Sequence, residues 1–233
     1  MRMAAMNSLN KLYDDGFYDA QMSGSYRSAK TYAGILSAFF IPDSVADVGC
    51  GRGTWLKAFK ERGATNLVGF DGEWNAQSNM IEDDITFVQC DLNLPIKMAD
   101  NDKKFDLAMS LEVAEHLLPS SAEKFVGSLT NLSDIVLFGA AFTGQGGRNH
   151  INERPPTYWA ALFSPQAYVP FDIFRAAVWG NDDVEFWYQQ NTFLYIRKDS
   201  SSYATMLSKG ASPMPNVAFM DCVHPSLYYR KLR

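Results

Sequence analysis

From Ser44 to Phe142 short apolar runs alternate with stretches of helical periodicity, and that alternation limits the folds open to the chain. "SVADVGC" reads as a short buried strand, and "NLVGFD", "ITFVQCD", "KFDLAMSLEV" and "DIVLFGAAF" as the four strands that follow it. Between them, "TWLKAFKERG" places Trp55 and Phe59 four apart and stops at Gly63, a natural C-terminal cap. "SAEKFVGSL" follows a Ser120-x-x-Glu123 pattern that predicts a capping box. Upstream, Tyr26, Ala29, Tyr32, Leu36 and Phe39 predict an amphipathic helix over 25–40, while residues 1–23 are expected to drape over the body. Downstream, Pro155 and Pro156 can open a helix over "TYWAALF", and "AYVPFDIF" and "NTFLYIRK" read as closing strands, with an antiparallel pair at the end. Strands alternating with helices predict a parallel, doubly wound α/β sheet with helices on both faces.

With 233 residues, 47% hydrophobic, the chain can bury one large core, and a single domain is expected. Its parts are a helical cap over 1–40, a core over 41–198 and a surface-wrapping tail over 199–233. No apolar run approaches the roughly 18 residues of a membrane span, and the amino terminus turns acidic too early for a signal peptide, so a cytoplasmic protein is expected. Cys50, Cys90 and Cys222 form no Cys-x-x-Cys pair, which argues against a disulfide framework and a thiolate zinc site. A net charge of −5 argues against nucleic acid as partner, because such binding draws on clustered Lys and Arg. The basic end "YYRKLR" is read as a solvated tail.

Ligands of such sheets bind at the carboxyl ends of the strands, so the turn leaving the first strand matters most. There "ADVGCGRGTW" offers Gly49, Gly51 and Gly53, which permit a tight turn and close approach of a ligand to the backbone. Asp71 ends the second strand where a carboxylate can accept from both hydroxyls of a ribose, and Asp91 ends the third. Thr54 stands where a dinucleotide fingerprint needs Gly or Ala, and no P-loop occurs.

Taken together, "VADVGCGRGTWLKAF", "VGFDG", "FVQCDLN" and "FDLAMSLEVAEHL" resemble the successive motifs of class I S-adenosylmethionine-dependent methyltransferases. The resemblance implies a Rossmann-like seven-stranded sheet of order 3-2-1-4-5-7-6 and S-adenosylmethionine as cofactor. It assigns Gly49 and Gly51 to close backbone approach, Asp47 to the cofactor's polar end, and Asp71 with Gly72 to the ribose. Asp91 and Leu92 would hold the adenine, and Ser110, Leu111 and Glu112 would lie near the sulfonium. "FYDAQMSGSYRSA" and "GQGGRNHINE...YW" are similar to segments of bacterial methyltransferases of glycan and specialised-metabolite pathways.

The loop "GQGGRNHINE" concentrates hydrogen-bonding groups just past the fifth strand. Transfer to a hydroxyl requires loss of its proton, and histidine suits that task. His150 is the first choice as base; His116 is the alternative, and could instead orient Glu115 or pack. His224, before a proline, is read as structural. Asn149, Asn152 and Glu153 are expected to orient the imidazole or grip the acceptor, and Tyr158 and Trp159 to face the pocket or the core. In the amino-terminal segment Tyr18, Gln21 and Arg27 lack a core role and are expected to close over the site. A metal reading built on His150 and Glu153 with Asp91 or Glu112 lacks a paired His motif, so none is expected. The expected activity is methylation of a small molecule, favoured at a hydroxyl of a sugar or pathway metabolite. An amine acceptor, or a cofactor-binding partner subunit without turnover, stands as the alternative. Nucleic-acid methylation is disfavoured further by the lack of an Asp/Asn-Pro-Pro-aromatic tetrapeptide, which "RPPTY" does not supply.

Overall fold

A computed structural model describes residues 15–98 and 103–232, with side chains from Ser23 onward. Seven strands form one sheet: β1 (Ser44–Val48), β2 (Asn66–Asp71), β3 (Thr86–Gln89), β4 (Leu107–Leu111), β5 (Ile135–Gly139), β6 (Tyr168–Phe171) and β7 (Phe193–Arg197). Their order is β3-β2-β1-β4-β5-β7-β6, as the resemblance implies. β1 to β5 are parallel to one another, and β7 runs antiparallel between β5 and β6.

The helices are α1 (Asp15–Ser37), α2 (Thr54–Lys60), α3 (Ala122–Leu132), α4 (Pro156–Phe163), α5 (Arg175–Val178), α6 (Phe186–Asn191), α7 (Ser201–Ser208) and α8 (Pro225–Lys231). Successive strand residues point to opposite faces. Val45, Leu107 and Leu137 therefore join one core with Tyr32 and Leu36 of α1 and Phe59 of α2. Ala46, Ala108, Val136 and Phe138 join the other, with Phe125 and Leu129 of α3 and Trp159 and Phe163 of α4. Burial on both faces is why β1, β4 and β5 read as continuous apolar runs, whereas β3, at the edge of the sheet, is largely exposed.

Three details differ from the expectation. α1 starts at Asp15, so residues 15–23 are helical; Gly24, which interrupts the pattern, is a packing position where a Cβ would collide with the Glu185 carboxylate. The capping box does not form: Ser120, its expected cap, lies inside a 3₁₀ turn over Pro119–Ser121 that runs directly into α3, and the residue that takes the cap position, Ser121, makes no side-chain bond to the helix. The tail is more helical than its Ser, Gly and Pro content suggested. Asp221 accepts from the backbone N–H and the hydroxyl of Thr157 at 3.0 and 2.6 Å, capping the start of α4. His224 is buried and takes the Ser226 N–H on its Nδ1 at the start of α8, the structural role expected of it. Among the described residues no helix is long and apolar enough to cross a membrane.

Two glycines of the turn after β1 are required for different reasons. Gly49 has φ 88°, and a Cβ there would collide with Val113; Gly51 has φ 52° and open space around the same position. Left-handed backbone costs a side chain roughly 1–2 kcal/mol, and forcing a buried contact roughly 1–3 more. Denaturant unfolding should therefore show a loss of about 2–5 kcal/mol for Gly49→Ala and only about 1–2 kcal/mol for Gly51→Ala.

Candidate functional site

The carboxyl ends of β1 to β5 lie along one edge and carry most of the polar groups singled out in the sequence. After β1 the chain turns tightly: the N–H groups of Gly49 and Cys50 both donate to the Phe70 carbonyl, and Gly53 donates to Cys50. Gly53, at φ 83°, hands the chain into α2. Asp71 holds this turn in place. One carboxylate oxygen accepts the Gly51 N–H and the other its neighbour Gly72's, both at 2.8 Å. Each oxygen keeps a further lone pair. Burial pushes the Asp71 carboxyl up to about 6, against the pull of those backbone bonds and of Asn75. Asp47, at the end of β1, is buried and pushed well above the usual carboxylate range by desolvation and then by Asp71.

Beside the turn opens a cleft of about 560 Å³, lined among others by Asp71, Gly72, Trp74, Asp91, Leu92 and Leu117. Leu92 and Leu117 give it apolar walls, and exposed Trp74 stands at its rim. Asp91 folds its own turn by accepting both the backbone and side-chain N–H groups of Asn93.

Past β4 the chain bends sharply. Glu112 has φ 57°, and Val113 packs where a Cβ of Gly49 would lie, which fixes this segment against the glycine turn. Burial raises the Glu112 carboxyl to about 7, opposed by amide donation from Asn191 and Gln145 at 3.0 and 2.6 Å. Those amides tie the end of β4 to the loop after β5 and to the end of α6; neither Asn191 nor Gln145 was singled out in the sequence, where an isolated amide carries no signal. Ser110 is fully buried and donates to the Val48 carbonyl, so its hydroxyl joins β4 to β1 rather than facing the cleft. Leu111 packs against the first core.

The glycine-rich loop is organised by Glu153. Its carboxylate accepts the N–H groups of Gly144 and Gly146, both at 2.7 Å, and Nδ1 of His150 at 2.9 Å. Gly144 and Gly146 take φ 82° and 74°, the left-handed conformations glycine adopts freely. Asn149, at φ 60°, accepts from Nδ1 of His116 through its backbone carbonyl at 3.3 Å. The two imidazoles meet edge to face with centroids 4.8 Å apart. A carboxylate and a carbonyl only accept, so on both rings Nδ1 carries a proton, and in the neutral ring it is Nε2 that presents the lone pair. Beneath them sits Glu115, 0% exposed, with both carboxylate oxygens lacking a hydrogen-bond partner among the described residues. Burial and then Glu112 hold its carboxyl well above the usual range; the N–H groups of Glu115 and Ala141 favour its charge from outside hydrogen-bonding geometry. The Glu115 carbonyl receives the N–H groups of Ile151 and Asn152, both at 2.9 Å, which locks the loop onto the segment after β4.

Several expected contacts take other forms. Asn152 is only 2% exposed and spends its amide on Ala114 and Arg154, so it builds the loop instead of gripping an acceptor. Trp159, 1% exposed, belongs to the core against Phe138. Tyr158 is half-buried beneath the Arg154 guanidinium. Arg27 is exposed on α1, whose Ser25 hydroxyl lies 3.3 Å from that of Thr54 beside the glycine turn. The side chains of Tyr18 and Gln21 lie outside the described residues. The carboxylate that joins the histidines is Glu115, whereas Asp91 lines the cleft and Glu112 is held by amides.

Residues 18–132 match a family model described as a methyltransferase domain. Comparison with curated proteins finds no match in sequence. Among solved structures, the chain is similar to the magnesium protoporphyrin IX methyltransferase of Synechocystis PCC 6803 with bound S-adenosylhomocysteine, at 16% identity and a TM-score of 0.54, over 83% of this chain and 94% of that one. A SAM-dependent methyltransferase from Archaeoglobus fulgidus aligns at 20% identity and a TM-score of 0.52, over 68% and 76%. The Haloferax volcanii complex of the Trm112 methyltransferase activator with a methyltransferase aligns at 16% and 0.53, over 77% and 95%. At these identities the likeness is one of fold.

If Glu153 organises the loop, its removal frees the Gly144 and Gly146 amides. Hydrogen bonds to a charged group contribute roughly 1.5–3 kcal/mol each, so Glu153→Ala should speed exchange of both amides about tenfold or more. Unchanged exchange there would assign the loop's shape to its glycines alone.

Proposed function

We propose that this chain, whose residues 18–132 match a methyltransferase-domain model, uses S-adenosylmethionine to methylate a hydroxyl of a small-molecule acceptor seated at Glu115, His116 and His150. The carrying observation is the pair of imidazoles whose Nε2 lone pairs remain available while Nδ1 is tied back to Glu153 and Asn149.

The cofactor's fit rests on this chain's own groups. Gly51 faces open space at the mouth of the turn, the spare lone pairs of Asp71 suit two ribose hydroxyls, and Leu92 and Leu117 offer apolar contact to a base. Asp91 would take the adenine amino group, and Asp47 and Gly49 would meet the methionine end. When bound, S-adenosylmethionine supplies a methyl group already activated by the positive charge on its sulfur. The chain's remaining tasks are to align an acceptor oxygen about 3 Å from that methyl and to receive its proton. Val113, locked on Gly49, sets the histidine cluster beside the turn, and Asn149 and Glu153 keep the rings oriented. The helix α1, whose Ser25 lies beside Thr54 at the end of the glycine turn, is suited to close the site through Tyr18, Gln21 and Arg27. A sugar or pathway metabolite in the cytoplasm is the acceptor class we favour; the net charge of −5 speaks against a nucleic acid in its place.

Two measurements test this reading. Calorimetry with S-adenosylhomocysteine should show Asp71→Ala weakening affinity about tenfold to a hundredfold, as expected for loss of hydrogen bonds to a charged acceptor. Because the Asp71 carboxyl lies at about 6 in the free protein, the wild-type affinity should fall as pH drops through that value and the variant's should not. Mass spectrometry after incubation with methyl-labelled cofactor and a metabolite extract should find the label on an ether oxygen. His150→Ala should slow that turnover by about 10²–10⁴-fold with little change in S-adenosylhomocysteine affinity. A labelled amine would replace the hydroxyl reading, and binding without any labelled product would leave a partner subunit.

A further inference from the structure

We propose that Glu115, His116 and His150 form a binding site for one divalent first-row transition-metal cation such as Zn²⁺, Co²⁺ or Mn²⁺, with Glu153 as the carboxylate behind His150. One ligand atom from each of the three residues lies within 4.8 Å of the others. Nε2 of His150 is 4.0 Å from Oε1 of Glu115. The residues come from two separate segments, and the loop that carries His150 is fastened to the Glu115 carbonyl by two backbone N–H groups.

The protonation pattern is the one a metal site needs. Metal-bound imidazoles characteristically donate their other N–H to a carboxylate or carbonyl, which fixes the tautomer and the ring. Here His150 donates to the Glu153 carboxylate and His116 to the Asn149 carbonyl, leaving both Nε2 atoms as donors of electron pairs. Glu115 adds the second observation. Glu115 is unexposed and has no hydrogen-bond partner among the described residues, so its carboxyl gives up its charge unless a cation supplies the partner that its position lacks. Gly147 contributes by what it omits, since a Cβ there would collide with Nε2 of His150.

Two imidazoles and one carboxylate suit transition cations better than Mg²⁺, which prefers oxygen ligands. Bonds of about 2.1 Å require the three ligand atoms to close by roughly an ångström, a movement open to the exposed His116 ring. Three protein ligands leave open positions for water or for an acceptor oxygen; with both Nε2 atoms on the cation neither imidazole could take the acceptor's proton, and the cation would instead lower the pKa of the bound hydroxyl. The site does not depend on the acceptor's identity; its bearing on methyl transfer rests on the hydroxyl reading above.

Metal binding can be read without turnover. Chelator-treated, dialysed protein titrated with Co²⁺ should develop visible absorption that saturates at one equivalent, and Zn²⁺ should compete for it in calorimetry. His116→Ala, at the surface, and Glu115→Gln should each weaken Co²⁺ binding by at least tenfold to a hundredfold, and Glu153→Gln by about tenfold to a hundredfold. S-adenosylhomocysteine affinity within about threefold of wild type verifies that each variant is folded, and His116→Ala alone suffices if the buried Glu115 variant fails that check. No saturable binding to the wild type, binding unchanged by His116→Ala, or binding of Mg²⁺ with none of Co²⁺ or Zn²⁺ would overturn the assignment. Saturable binding without any labelled product would keep the metal site and remove the hydroxyl reading.

Discussion

The side chain of Val113 fills the space beside Gly49 that any larger residue would occupy, and the rest of the candidate site depends on that contact. It joins the turn after β1 to the segment after β4, the two pieces of chain that hold the opposite ends of the proposed reaction. Gly49 accepts the contact because it is a glycine at φ 88°. Glu112, one residue before Val113, takes a left-handed conformation of its own to bring the segment round. Backbone strain of this kind persists where surrounding structure over-determines it. The determinants here are the bond from the Glu112 N–H to the Gly139 carbonyl and the amides of Gln145 and Asn191 on its carboxylate.

Along the same edge, Asp47, Asp71, Glu112 and Glu115 are all pushed above the usual carboxylate range, with burial the leading cause each time. Backbone N–H groups and neutral amides compensate Asp71 and Glu112 in part. Such an edge disfavours further negative charge and favours a positively charged ligand. A sulfonium, and a metal cation beside it, are ligands of the sign that these residues lack.

Much of the fold was legible because burial on both faces wrote continuous apolar runs into β1, β2, β4 and β5. β2 was read to the residue, as "NLVGFD". The strand order was not legible from periodicity, which says nothing about which strands pair; it came from the resemblance. Asp71 was legible because its distance along the chain from Gly51 is set by crossing one helix and one strand. The grouping of Glu115 and His116 with His150 was not, since their meeting depends on Ile151 and Asn152 donating to the Glu115 carbonyl across the sheet edge. Trp159 and Asn152 show a related ambiguity: an aromatic at helical spacing and a loop amide read alike whether they face a ligand or, as here, the core and the loop's own backbone.

The central claim is that one cleft orients a nucleoside at Asp71 and Leu92 and directs its sulfur toward the histidine pair. A crystal structure with S-adenosylhomocysteine tests it most directly. The account predicts ribose hydroxyls on Asp71, the adenine against Leu92, and the sulfur facing Glu112 and Nε2 of His150 across a gap large enough for an acceptor. A ligand bound away from the glycine turn, or reversed so that its sulfur points toward Trp74, would contradict it.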